Sequence, residues 1–111
     1  MTRNEIATMV ASSGIPCAYY QFEEGSGQEC PFAVFYYPSR DDFRADDANY
    51  VRITDLVVEL YTDDKDFDAE DAMEAALDAS GMVYKKEETY IGSERMYEVI
   101  YTMEVLIDDQ E

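Results

Sequence analysis

Histidine is absent from the sequence, and cations are scarce: eight Lys and Arg stand against twenty-six Asp and Glu, a formal net charge of −18. Without an imidazole, every Ser-His, Cys-His and histidine-metal arrangement is excluded. A field this negative opposes nucleic-acid binding by phosphate neutralisation and opposes adsorption to an anionic membrane. What remains is an acidity that serves solubility, a surface for cationic partners, or a surface that repels DNA. Cysteine is limited to Cys17 and Cys30, too few for a disulfide framework and without C-x-x-C spacing. Glycine forms neither G-x-x-x-x-G-K-S/T nor G-x-G-x-x-G, so the usual phosphate-cradling loops are missing. Apolar runs are short, Phe32–Tyr37 being among the longest, and none approaches a membrane span. The start, Met1-Thr2-Arg3-Asn4-Glu5, lacks the apolar stretch of a signal peptide. The expected location is the cytoplasm, or a particle assembled there.

What is present suffices for one domain, residues 1–111. An apolar share of 47% with ten tyrosines supplies a core. Thr2-Arg3-Asn4-Glu5 has the form of a capping box, and Ile6, Met9, Val10 and Ser13 then share a helical face up to Gly14. A helix is predicted over Thr2–Ser13. Cys17–Phe22 and Phe32–Tyr37 read as short strands around the Gly25-Ser26-Gly27 turn, hence a hairpin. Pro38–Asn49 is polar, charged and aperiodic, a long loop. Across Tyr50–Thr62, Leu56, Val58 and Leu60 alternate with Asp55, Val57, Glu59 and Tyr61, as in a strand with one buried and one mixed face. Acids crowd Asp63–Asp68 ahead of a helix whose stripe is Ala69, Ala72, Met73, Ala76 and Leu77; Glu70, Asp71, Glu74 and Asp78 are assigned to the opposite face, and Gly81 ends it. Met82–Ile91 and Met96–Ile107 complete the set as strands joined at Gly92-Ser93. The order α-β-β-β-α-β-β predicts an α+β two-layer domain: a mostly antiparallel sheet of about five strands, with both helices on one face.

Catalytic constellations do not emerge. Carboxylate pairs such as Asp41-Asp42 and Asp46-Asp47 lie on a polar stretch with no contrast of environment to separate acid from base. Asp64-x-Asp66-x-Asp68-x-Glu70 opens like a calcium loop, but the sixth and twelfth positions, Ala69 and Ala75, lack the required glycine and bidentate carboxylate. A stacking platform for single-stranded nucleic acid would need a basic groove around the tyrosines, and the cations are missing. No catalytic residue, metal site or cofactor is expected. Within the long loop, Arg40 and Arg44 flank Phe43, a combination suited to anchoring an interface. The same arginines would equally serve to offset Asp41, Asp42, Asp46 and Asp47.

Val58-Glu59-Leu60-Tyr61-Thr62-Asp63, the alanine-rich acidic helix ending at Gly81, and Tyr97–Val105 resemble small proteins of tailed-phage and prophage structural modules. Ile15-Pro16 and Ala18-Tyr19-Tyr20-Gln21-Phe22 add to the likeness, which spans nearly the whole chain in the same order. The resemblance is to tail terminator or head–tail joining subunits. It implies an α+β, non-enzymatic virion-assembly protein forming a homo-oligomeric ring, typically a hexamer, at the head-proximal end of the tail. Implied partners are other copies of itself, tail-tube protein and head connector, with no sequence-specific nucleic acid and no membrane. The implied location is the host cytoplasm during assembly, and the virion of an active phage. The alternative is an acidic DNA mimic or regulatory binding protein. In either case Cys17 and Cys30, opposed to different residues in a hairpin, are expected to remain unbridged. A non-reducing mass measurement showing an intramolecular disulfide in the native protein would overturn both the register and the reducing compartment.

Overall fold

The computed structural model describes residues 1–22 and 28–108. Within them, α1 (Arg3–Ala11), β1 (Cys17–Tyr19), β2 (Phe32–Tyr36), β3 (Phe43–Ala45), β4 (Ala48–Val51), β5 (Thr54–Thr62), α2 (Phe67–Ala79), β6 (Tyr84–Ile91) and β7 (Met96–Val105) follow in order. The fold is α+β: a five-stranded sheet, β1-β2-β5-β7-β6, and a separate two-stranded sheet, β3-β4.

Local chemistry sets the helix ends. The Thr2 hydroxyl accepts from Glu5 N–H while the Glu5 carboxylate accepts from Thr2 N–H, the reciprocal box that satisfies two orphan amides. Gly14, at φ +82°, turns the chain out of α1 where a side chain would be strained. Asp66 caps α2 by accepting from Ala69 N–H.

The helices share one face of the sheet. Ile6, Met9 and Val10 from α1 and Met73 and Leu77 from α2 pack in one core with Ala33, Phe35, Leu56, Val58, Leu60, Val99, Tyr101 and Met103. The register explains this layer: Leu56, Val58 and Leu60 stand opposite Met103, Tyr101 and Val99, so each strand's alternation sends its apolar set to the same side.

Two expectations are corrected. β1 and β2 are parallel, with Cys17, Ala18 and Tyr19 beside Ala33, Val34 and Phe35, rather than a hairpin. Tyr20, at φ +69°, ends β1, and a connection long enough for a crossover follows. The glycine turn assigned there lies outside the described residues. Cys17 and Cys30 are free thiols. The second correction is Pro38–Asn49, which is not one long loop but holds β3, a two-residue turn and the start of β4. The β2–β5 ladder continues past the sheet through Asp55 N–H to Ser39 C=O at 2.9 Å and Asp41 N–H to Ile53 C=O at 2.8 Å, into β3 and β4. Asp46 and Asp47 close the tip with φ of 52° and 59°, the left-handed pair that matches strand twist in a two-residue turn. Tyr50 and Val51, expected to belong with β5, lie in β4 instead.

Glu70 is a third correction. Expected on the solvent face of α2, it is 2% exposed. Lys86 Nζ lies 2.8 Å from its Oε1, and Lys65 Nζ meets Oε2 while also contacting Glu88. Lys86 reaches Glu74 as well, and Glu74 accepts from the buried Tyr101 hydroxyl at 2.8 Å. Burial raises the Glu70 pKa, but hydrogen bonds and charge from Lys65 and Lys86 outweigh it and hold the carboxyl below its usual 4.5. A depressed carboxylate contributes stability that is complete above the unfolded-state pKa and is lost as pH falls through the folded-state value. Glu70→Gln is therefore expected to cost about 2 kcal/mol near neutral pH, less than a fully buried pair because both lysines reach solvent. The difference from the native protein should vanish in thermal melts taken from about pH 7 down to about pH 3.

Candidate interaction surfaces

Beyond the sheet, β3 and β4 form an arm. The molecule extends 50 × 28 × 25 Å, with a radius of gyration of 15.1 Å, against about 13 Å for a compact chain of this length. The arm is held by Asp42, whose side chain is 5% exposed. Its carboxylate accepts from Ile53 N–H at 3.2 Å, from Asn49 Nδ2 at 2.7 Å and from Arg40 Nε at 3.0 Å. Of the three residues singled out as an anchor, Arg40 is thus engaged inside the arm. Phe43 stands 58% exposed in β3, with Arg44 beside it and exposed, and Tyr50 is 74% exposed in β4. Residues 38–54 carry three arginines and four aspartates, a balance of −1 in a chain of −18. The arm is nearly neutral, aromatic and arginine-bearing; the body carries the acid.

The sheet face away from the helices is the second surface. Register places Phe32, Val34 and Tyr36 of β2, Val57, Glu59 and Tyr61 of β5, and Glu98 and Ile100 of β7 on it. Phe32 stacks on Tyr61 with centroids 5.0 Å apart, and Tyr36 packs against Tyr20 at 5.1 Å. The phenols converge on two carboxylates. Tyr36 donates to Glu59 Oε2 at 2.7 Å, while the Tyr61 hydroxyl lies 2.8 Å from both Glu59 Oε1 and Glu98 Oε2. Each phenol carries one proton, so two protons face three short contacts. Burial first, then the hydrogen bond and charge of Glu59, push Tyr36 up to about 12; burial and bonds to both carboxylates raise Tyr61 further.

A depression of about 450 Å³ lies at the start of α2, lined by Cys30, Pro31 and Thr62 through Asp68. Burial, then the charge and hydrogen bond of Asp63, raise the Cys30 thiol to about 11, so it is protonated and poorly nucleophilic at neutral pH. The carboxylates weighed as a calcium loop have separate duties: Asp66 caps α2 and Glu70 binds two lysines. Among the described residues no group of three or more Cys, Asp or Glu is arranged to hold a metal ion. No helix among them is long and apolar enough to cross a membrane.

Sequence reasoning missed the Tyr36–Glu59–Tyr61–Glu98 network. The alternation in β5 exposes Glu59 and Tyr61 on one face, but the pairing of β5 with β2 and β7 is needed to bring Tyr36 and Glu98 to them. It missed the brace at Asp42 for the same reason. No protein-family model matches the chain, and no curated protein matches it.

The raised phenols give a pH test. A group with a raised folded-state pKa stabilises fully below its unfolded value of 10.0, and that contribution is lost as pH climbs through the folded value, about 12 for Tyr36. Ultraviolet titration should show Tyr36 ionising well above the ordinary phenol value of 10.0. Glu59→Gln should bring its midpoint back towards 10.0, because the carboxylate that opposes phenolate formation is gone. An unchanged midpoint would mean that Glu59 does not set it.

Proposed function

We propose that this protein is a structural joining subunit, of the tail terminator or head–tail joining kind that its sequence resembles. In this reading it assembles as a ring at the head-proximal end of a phage or prophage tail. The observation that carries the proposal is the arm. A β-hairpin that leaves the sheet and presents Phe43, Arg44 and Tyr50 to solvent buries little of its own apolar surface, whereas aromatic and arginine side chains are the usual anchors of protein interfaces. Copies carrying −18 each cannot be brought together by general attraction, so contacts must be apolar or must set the scarce cations against neighbouring acids. An acidic ring lumen would let DNA pass without adhering.

Phe43→Ala combined with Arg44→Glu is expected to leave the melting temperature nearly unchanged, since the arm contributes little to the core. Self-association, or association with tail-tube or connector protein, should weaken by about tenfold or more in sedimentation experiments. Raising salt from low ionic strength should strengthen association of the native protein by screening repulsion between copies. Should the native protein neither self-associate nor bind a tail or connector protein, the joining role gives way to that of an acidic DNA mimic.

A further inference from the structure

The arm needs an acceptor, and we infer that it is the open sheet face of a second copy, where Arg44 of one subunit meets Glu98 and Glu59 of the next. This rests on the joining role proposed above and names the contact that would build the ring.

Proton accounting at the acceptor is the first ground. Tyr61 has one hydroxyl proton and lies 2.8 Å from both Glu59 and Glu98, while Tyr36 supplies the only other phenol proton in the network. One proton cannot serve two carboxylates at full strength, so the cluster is short of a donor. No Lys or Arg ion pair among the described residues involves Glu59 or Glu98. A half-buried pair of carboxylates without a cation gains most from a guanidinium, whose planar fork can serve both at once and lie against an aromatic ring. The stacked Phe32 and Tyr61 rings flank the site.

Charge complementarity is the second ground. Lys65 and Lys86 are consumed by Glu70, Glu74 and Glu88, Lys85 sits beside Glu87, and Arg40 is held by Asp42. Arg44 is exposed, next to the exposed Phe43, on the hairpin that stands apart from the main sheet. Reach supplies the third. Arg44 pairs with Asn49, and β4 and β5 separate Asn49 from Glu59 by ten positions, which can span up to roughly 30 Å. An arm directed away from its own sheet along that ladder cannot fold back onto Glu59. A donor and an acceptor so far apart on one subunit make a head-to-tail contact, which closes into a ring or continues as a filament.

Charge exchange with mixing tests the pair. Arg44→Glu breaks the arm and leaves the acceptor; Glu98→Arg breaks the acceptor and leaves the arm. Each alone is expected to weaken self-association by about ten- to a hundredfold in sedimentation velocity, with circular dichroism unchanged. In a one-to-one mixture every contact between unlike copies is either the native pair or the reversed pair, so assembly should be regained with the two variants alternating. The double variant carries the reversed pair and should regain assembly. Glu98→Gln, which keeps the shape of the side chain, should weaken assembly less than Glu98→Arg, and it serves if the arginine variant fails to fold. If Glu98→Arg or Glu98→Gln assembles like the native protein while Phe43→Ala/Arg44→Glu does not, the acceptor is wrong and the arm reading stands. If the mixture does not assemble better than either variant alone, or the double variant does not recover, the pairing is overturned. A native protein that stays monomeric at every concentration overturns this contact and the ring together.

Discussion

The antiparallel ladder between β2 and β5 is the constraint on which the rest of the molecule hangs. Inside the sheet its register, Ala33 with Leu60 and Phe35 with Val58, turns one face to the helices and the other, with Val34, Tyr36, Val57 and Glu59, away from them. Outside the sheet the same ladder runs on through Ser39–Asp55 and Asp41–Ile53 until it becomes the arm. Core, open face and projection are therefore linked by antiparallel pairing that resumes, one residue out of register, at Arg40 and Thr54. A slip of one residue would exchange the two faces and twist the arm to a different side.

Charge scarcity acts on that frame. With eight cations for twenty-six acids, each Lys or Arg has a choice of partners, and where it settles is informative. Lys65 and Lys86 go to the buried Glu70, fastening α2 to β6 where an unpaired carboxylate would be costly. Arg40 goes to Asp42 and stiffens the root of the arm. Glu59 and Glu98 receive only phenols. The body thus pairs its deepest acid with ammonium groups and leaves its sheet-face acids with phenols alone.

Much of this fold was legible from residue patterns. The capping box at Thr2 and Glu5, the apolar stripe of α2 and the alternation of β5 and β7 are local signals that tertiary packing then confirms. The arm was not legible because its strands are exposed on most positions and show no apolar alternation, and because Asp-Asp lacks the glycine that announces a two-residue turn. The parallel β1 was missed because strand direction depends on where a distant residue, Phe35, offers its carbonyl to Tyr20. Glu70 was within reach: it stands three residues before Met73 and seven before Leu77, on the buried stripe by spacing, and only its charge argued against it. Arg40, Phe43 and Arg44 are close in sequence, yet the hydrogen bonds of Asp42 that tie down Arg40 and leave Phe43 exposed depend on pairing partners several residues away.

Both margins of the main sheet are blunt. β1 offers only three residues before Tyr20 turns to φ +69°, and β6 carries Lys85, Lys86, Glu87 and Glu88 through its middle. Strand addition by another chain would have to desolvate those charges or pull Lys86 and Glu88 from their bonds to Glu70 and Lys65. Lateral growth into a cross-β fibre is thereby disfavoured at both ends of the sheet, a safeguard for a chain so rich in tyrosine.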